Sequence, residues 1–348
     1  MYTVNIKEWS ALIEVHKGTI LEAALSQGIP YPHQCRVGEC GNCKARLLSG
    51  KVKHDPHFDE ALTRGEKDQG YILACRARPK SDISLSWDDD PSIACHAVRE
   101  LPAQVISVEK VCNDVVKLRL QSLGAPLEFS AGQYVRLSIG SLPARSFSMA
   151  NRPGETELEF HIRQVPDGQV SPYIANRMKK GDAVCVEGPF GVSHLRAQQS
   201  GPIIAVAGGT GLAPMLSIVR TAVASGSDKP IHLYWGVKDE ADVYARNELA
   251  LLARNGDVKT HIVLSGALSS PECRSGSLQQ ALAEDFTNLR GASVYTAGSP
   301  SMVEAVKTAA RALNVASDRI YCDSFTASGA DQIQPARRSL LRRLKWFN

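Results

Sequence analysis

Four of the nine cysteines are spaced like ligands: Cys35-x4-Cys40-x2-Cys43, with Cys75 further on. Three thiols on one short loop and a fourth from a separate segment is the spacing of a plant-type [2Fe–2S] site. Gly38 and Gly41 would let the backbone fold around the cluster and aim N–H groups at the sulfurs, which tunes potential. Asn42 and Arg36 would leave one cluster edge near solvent. Cys75 sits in the short apolar segment Tyr71-Ile72-Leu73-Ala74-Cys75-Arg76, which can reach back to the loop. Zinc is the competing ligand, but structural zinc sites prefer two close pairs on separate knuckles. The other cysteines (Cys95, Cys112, Cys185, Cys273, Cys322) are scattered, and an odd total argues against a disulfide framework.

Two further stretches could hold organic cofactors. In Arg145-Ser146-Phe147-Ser148, following Gly132-Gln133-Tyr134-Val135, an arginine can grip a diphosphate bidentately. An adjacent ring can stack on an isoalloxazine, and a hydroxyl can reach its redox nitrogen. Alone the string is weak, because Arg-Ser-x-Ser is common in surface strands. Gly168-Gln169-Val170-Ser171 could open a helix whose N–H groups meet a phosphate, or be a plain capping turn. Gly208-Gly209-Thr210-Gly211-Leu212-Ala213-Pro214 follows a buried-strand pattern and opens a helix, the context a phosphate loop requires. Its glycines would admit a pyrophosphate to the backbone, and Pro214 suits a first helical turn. It is not a full G-x-G-x-x-G pattern, so a purely structural strand–helix turn stays open.

The elements that must position these residues fall into blocks. Residues 1–90 read as two short strands, Thr3–Lys7 and Ala11–Val15, then a helix N-capped by Thr19 and ended by Gly28, the cysteine loop, and a hairpin over Ala45–Val52: a small mixed sheet on one helix. Asp88-Asp89-Asp90-Pro91-Ser92 breaks the pattern, and 91–98 reads as a linker. Residues 99–197 hold short strands at Ala103–Val108, Val115–Leu120, Tyr134–Ser138, Leu158–Arg163 and Ala183–Glu187, the spacing of an antiparallel barrel. Residues 198–330 alternate strands (Ile203–Ala207, Ile231–Trp235, Lys259–Leu264, Ser293–Thr296) with helices such as Leu212–Ala224, which predicts a parallel, doubly wound sheet.

The net charge of +4 sits wholly in residues 331–348, where Arg337, Arg338, Arg342, Arg343 and Lys345 oppose Asp331. Leu340, Leu341, Leu344 and Phe347 share one helical face of this tail, which either docks on an acidic surface or is a frayed end. The neutral remainder gives no nucleic-acid footprint. No apolar run is long enough to span a membrane, and the first residues do not read as a signal peptide; the expectation is a cytoplasmic monomer. The histidines, His54 and His57 among them, show no ligand-like grouping and read as surface.

In this order the three motifs resemble the ferredoxin–flavin–nicotinamide reductase components of multicomponent bacterial oxygenases, which serve Rieske-type aromatic-ring dioxygenases and soluble di-iron monooxygenases. The resemblance runs from residue 1 to about 327, and its last two domains look like the ferredoxin–NADP⁺ reductase superfamily. It implies a β-grasp [2Fe–2S] domain, a Greek-key FAD barrel and an α/β nicotinamide domain. By resemblance Cys35, Cys40, Cys43 and Cys75 are cluster ligands. Arg145, Phe147 and Ser148 match an Arg-x-Tyr-Ser flavin motif that includes Ser146, with Phe147 in the tyrosine place. His161-Ile162-Arg163 and Gly168, Val170 and Ser171 match stretches lining FAD, and Gly188-Pro189-Phe190-Gly191 the turn closing the barrel. Gly209, Thr210, Gly211 and Pro214 match the nicotinamide loop. Gly298, Ser299 and Met302 belong to a Cys-Gly-x-Pro-like stretch in which Ala297 replaces the cysteine. Tyr321-Cys322-Asp323-Ser324-Phe325 resembles the terminal strand, with Phe325 near the flavin.

The implied chemistry is hydride transfer from nicotinamide to FAD, then single-electron steps to the cluster, with no side chain acting as acid, base or nucleophile. Asp239, Glu240 and Asp242 outnumber Lys238 after strand Ile231–Trp235, which favours NADH over NADPH; a solvated helix start is the plain alternative. The implied partner is a terminal oxygenase or its ferredoxin. A deoxysugar-forming dehydratase as acceptor, or a redox sensor with a structural cluster, are the competing readings.

Overall fold

The computed structural model describes residues 1–7, 12–29, 31–33, 36–38, 41, 43–59, 61–86, 96–255, 258–266 and 271–325. The first unit comprises β1 (Tyr2–Ile6), β2 (Leu12–Val15), α1 (Ile20–Ser26), β3 (Lys44–Ser49), β4 (Val52–His54), α2 (Arg64–Asp68), β5 (Tyr71–Leu73), β6 (Ala77–Pro79) and β7 (Ile83–Ser86). The main sheet runs β2-β1-β7-β3-β5, with β1 and β7 parallel and α1 laid across it: a β-grasp. Period-two alternation puts Val4, Ile6, Ile13, Val15, Ile83 and Leu85 against Ile20, Leu21 and Ala24 of α1. Thr19 starts α1 with a capping box: its hydroxyl accepts from the Glu22 N–H (3.3 Å), and the Glu22 carboxylate accepts from the Thr19 N–H (2.8 Å).

The hairpin expected over Ala45–Val52 does not form. Both edges of β3 are taken, by β7 and by β5, so the chain turns at Gly50 and β4 pairs with β6 in a separate two-stranded sheet. Gly50 has φ +89, and a Cβ there would run into the Asp82 carbonyl. His54 and His57 are half-buried rather than surface residues, their rings edge-to-face at 5.6 Å.

The second unit comprises β8 (Arg99–Lys110), β9 (Val115–Ser122), β10 (Tyr134–Ser138), β11 (Arg145–Ser148), β12 (Glu157–Arg163), α3 (Val170–Asn176) and β13 (Ala183–Phe190). The order β11-β10-β13-β8-β9-β12 is antiparallel throughout, and a bridge between Met149 and Phe160 joins its two ends into a barrel. Its interior holds Val105, Leu118, Leu120, Val135, Leu137, Phe160 and Ile162, with Val170 and Ile174 of α3 closing one end.

The third unit comprises β14 (Ile203–Gly208), α4 (Leu212–Ala224), β15 (Ile231–Val237), α5 (Arg246–Asn255), β16 (Val258–Leu264), β17 (Arg274–Ser275), α6 (Leu278–Asp285), β18 (Ser293–Gly298), α7 (Pro300–Ala312) and β19 (Ile320–Ser324). All strands are parallel, in the order β17-β16-β15-β14-β18-β19. β14 is apolar along its whole length because both faces are covered: Ala205 and Ala207 face the α4 side, Ile204 and Val206 the side of α6 and α7. After β14 the chain winds one way through β15–β17, then returns to build β18 and β19 on the other side. The topological switch point therefore lies between β14 and β18, where open α/β sheets bind ligands beyond their strand ends. Among the described residues no helix is long and apolar enough to cross a membrane. Residues 91–95 of the expected 91–98 linker and the basic tail 331–348 lie outside the described residues.

Candidate functional site

Of the four spaced cysteines, Cys43 and Cys75 are described, and Cys35 and Cys40 lie outside the described residues. Cys43 and Cys75 are both buried, and the Cys75 N–H points at Cys43 Sγ at 3.5 Å. That is the N–H···S donor a ligating thiolate needs. Cys75 reaches the loop because Ala74 is pinned on two sides, its N–H donating to the Cys43 carbonyl and its carbonyl accepting from Leu21 N–H, each at 3.0 Å. The loop between the ligands coils through positive φ at Arg36 (+59), Gly38 (+84) and Gly41 (+76). A Cβ at Gly38 would fall 2.8 Å from both Arg76 Cγ and His57 Cβ, so the loop passes where only glycine fits. The chemistry of this donor set fits an iron–sulfur cluster. Arg36 donates to His33 Nε2 at 2.9 Å and lies over the Phe190 ring.

At the switch point two loops close on each other. A Cβ at Gly211 would overlap the Ala297 carbonyl oxygen, and one at Gly298 would lie 2.5 Å from Met302 Cε. Met302 thus fills the space under both turns, and Thr296 donates to its sulfur at 3.9 Å. Gly209 takes φ +55, with its carbonyl held by Trp235 Nε1 at 2.9 Å. Pro214 is buried in the first turn of α4, Thr210 is half-buried, and Ser299 stands at the N-cap position of α7 without a side-chain capping bond. Phe325 N–H donates to the Gly298 carbonyl at 2.7 Å, which sets the chain leaving β19 beside the same turn. The glycines let these two loops approach each other at the sheet's switch point, where the strand–helix turn at Gly208–Gly211 suits a nicotinamide dinucleotide.

The barrel presents β11 and β12 to this crevice. Ser148 is buried and its hydroxyl donates to Asp323 Oδ2 at 3.1 Å, tying the barrel to β19. Arg145 is partly exposed and, among the described residues, donates to its neighbouring carbonyl, Ala144, so its charge is available to a diphosphate. Ser146 is exposed, while Phe147 is half-buried against the barrel core. Ser171 accepts from Val165 N–H at 3.0 Å and Gly168 N–H donates to the Val165 carbonyl at 3.0 Å, which shapes the turn ahead of α3, where Val170 is buried. Ile162 points into the barrel core. Arg163 pairs with Asp114 at 3.0 Å and lies against Gly209.

His161 stands in a polar seam between barrel and nicotinamide unit. The Tyr244 hydroxyl lies 3.0 Å from its Nδ1, and Glu159 lies 3.4 Å from its Nε2. Around it Arg220 bonds Glu159 (3.2 Å) and Glu248 (3.3 Å), Arg119 bonds Glu159 (3.1 Å), and Lys117 pairs with Glu248. Burial pushes the His161 pKa below its ordinary 6.5. Burial alone would raise Glu159, but the His161 hydrogen bond and the Arg220 charge outweigh it and hold the carboxyl well below its usual range. Both shifts act in one direction. An unfolded chain takes up protons that these native groups refuse, so stability should fall as pH drops below about 6.5, with Glu159 adding its share only below about 4.5. The thermal midpoint should decline between roughly pH 7 and pH 5, and His161→Gln should shrink that slope without abolishing it. Burial also lowers His33, His54, His96 and His261, so part of the slope must remain. A slope unchanged by His161→Gln would contradict this.

Three residues at these sites carry no motif of their own: Asp323, Tyr244 and Asp114. Asp323 stands inside a segment that pattern reading reaches, but its partner is 175 residues away.

Comparison with known proteins follows the same three-part order. The 2Fe-2S iron-sulfur cluster binding domain matches residues 3–80, the oxidoreductase FAD-binding domain 102–195, and the oxidoreductase NAD-binding domain 205–308. The chain is 37% identical over 315 residues to the ferredoxin–NAD(P)(+) reductase component of the naphthalene 1,2-dioxygenase/salicylate 5-hydroxylase systems of a Ralstonia species, covering 89% of this chain and 94% of that one. It is 35% identical over 314 residues to the corresponding component of the Pseudomonas putida naphthalene 1,2-dioxygenase system, with 89% and 94% covered. The crystal structure of the Amycolatopsis cytochrome P450 reductase GcoB superposes with a TM-score of 0.78 at 34% identity, over 94% of this chain and 99% of that one. The chain therefore belongs to the ferredoxin–FAD–NAD(P)H reductase components of oxygenase systems, flavin-dependent oxidoreductases that carry their own [2Fe–2S] domain.

Proposed function

We propose that this chain oxidises NADH and passes the electrons, by way of its own [2Fe–2S] domain, to a terminal oxygenase or to the ferredoxin that serves one. The observation that carries this reading is the meeting of flavin strand and nucleotide loop at the switch point. Ser148 on β11 bonds Asp323 on β19, and Arg163 on β12 lies against Gly209. Between them the bound cofactors supply the chemistry, a hydride taken up as a pair of electrons and released singly. The chain orients them. Arg145 and the turn at Gly168–Ser171 hold the FAD diphosphate, and Phe147 backs the flavin ring. Ser148, its hydroxyl hydrogen donated to Asp323, would offer its oxygen lone pairs to the flavin edge. Gly209, Thr210, Gly211 and Pro214 cradle the dinucleotide, and Gly298, Ser299 and Met302 shape the nicotinamide end, with Phe325 closing the flavin side. Cys35, Cys40, Cys43 and Cys75 hold the cluster.

An oxygenase partner is supported by the relatives, which are reductase components of oxygenase systems. NADH is favoured by charge. The arginine that could meet a 2′-phosphate, Arg246, is already held by Glu240 (3.2 Å) and Glu272 (2.7 Å), and Lys238 has Asp239 beside it at 3.9 Å. A 2′-phosphate would have to displace carboxylates and sit among the rest, a repulsion of order 1–3 kcal/mol, or about 10–100-fold in kcat/KM. Steady-state kinetics with a small artificial acceptor should show that preference for NADH, and equal or higher kcat/KM with NADPH would overturn it.

A further inference from the structure

The contact between the β-grasp and the barrel is aromatic. Phe190, the last residue of β13, is buried yet belongs to none of the hydrophobic cores. Its ring meets His33 edge-on, with centroids 5.7 Å apart and planes at 73°, and carries the Arg36 guanidinium 6.0 Å from its centroid. His33 is braced in turn, donating from Nδ1 to the Tyr31 carbonyl at 2.7 Å and accepting from Arg36 at Nε2. Both residues flank Cys35 in sequence, so the face resting on Phe190 is that of the cluster loop. On its other side Phe190 lies 5.7 Å from Tyr134, tilted by 34°. Tyr134 stands opposite Phe190 on β13 and opposite Ser148 on β11, so the three side chains share one face in one lateral row. The row starts at the Ser148–Asp323 contact in the crevice and ends at His33 in the cluster loop.

We infer that Phe190 is the seat on which the cluster loop docks, a positioning residue that fixes the separation between the flavin and the cluster. The inference rests on the reading that electrons cross between the two within one chain. Each crossing takes one electron from the reduced flavin and adds one to the oxidised cluster, while the flavin's protons go to water. Phe190 is neither oxidised nor reduced, and none of its bonds changes. Its contribution is distance: a seat that loses its ring lets the loop lift, and electron transfer between two cofactors weakens steeply as the gap between them widens.

The test uses full-length holoprotein, wild type, Phe190→Ala and Phe190→Leu, with FAD and iron content measured for each. Rapid mixing with NADH separates flavin reduction from cluster reduction, and hydrogen exchange follows peptides spanning 31–38 and 188–191 against 115–120 in β9. Phe190→Ala should slow cluster reduction several-fold, leave flavin reduction unchanged, and raise exchange only in the first two peptides. Phe190→Leu fills the seat without an aromatic ring and should stay close to wild type in rate and protection. Unaltered cluster reduction in Phe190→Ala overturns the inference, as does slowed reduction with unaltered exchange. Slow reduction in Phe190→Leu with full protection also overturns it, because the ring would then act as conduit rather than seat. Failure of the underlying functional reading is distinct: the wild-type cluster would not be reduced by NADH, while the exchange measurement would still report the docking.

Discussion

Replacing Cys75 with Ala should lower electron delivery to any one-electron protein acceptor by about 100-fold or more while leaving NADH-driven flavin reduction within about twofold of wild type. The size follows from position. Cys75 is buried, its N–H bonds Cys43 Sγ, and its neighbour Ala74 fastens the segment to both the loop and α1. Without the Cys75 sulfur the cluster would lose one of the four ligands proposed for it, and no other described cysteine lies beside the site to replace it. The selectivity follows from architecture. The flavin and nicotinamide sites are built from the barrel and the α/β sheet, whose cores contain no residue of the β-grasp. Comparable loss of flavin reduction would show that the three units do not work separately. Retention of acceptor-linked activity would show that electrons bypass the cluster.

The second large effect is expected at Asp323. Asp323→Ala should slow flavin reduction by NADH about 10–100-fold, with a smaller change in NADH affinity. The carboxylate is buried and accepts from the Ser148 hydroxyl, so its removal frees that hydroxyl to rotate away from the flavin edge. It also cuts a tie between β19 and the barrel at the hydride-transfer crevice. Ser148→Ala should produce a loss of similar size. Because the two act as one pair, the double variant should be little worse than either single one. Losses that multiply would mean that the hydroxyl and the carboxylate act independently.

Local signals made much of this molecule legible from its sequence. Helix Leu212–Ala224 and strand Tyr134–Ser138 have the limits their patterns predict, because a glycine-opened amphipathic run and a turn-bounded alternating run are each complete within their own residues. The cysteine spacing and the Gly208–Gly211 loop are likewise contiguous. Long-range relations were not legible. Alternation along Glu157–Arg163 marks a strand, but not that Glu159 and His161 would meet Tyr244, Arg220 and Glu248 of another unit in a buried ionic seam. The tie from Ser148 to Asp323 has the same character. The missing β3–β4 hairpin shows the converse: local turn chemistry favoured pairing, but β3 had already given both edges to β7 and β5. The pairing of Arg36 with Phe190, contributed by β13 of the barrel, is a further long-range relation that no local pattern carries.

The most direct test of electron flow through one chain is an anaerobic titration of the purified protein with NADH, followed by visible absorbance and low-temperature EPR. A chain holding one FAD and one [2Fe–2S] cluster stores three electrons, so about 1.5 equivalents of NADH should bleach the flavin and the charge-transfer bands together. The EPR signal of a reduced [2Fe–2S] cluster should then integrate to about one spin per chain, with iron, sulfide and FAD near two, two and one. Bleaching that stops at one equivalent with no cluster signal, or zinc in place of iron, would contradict the account.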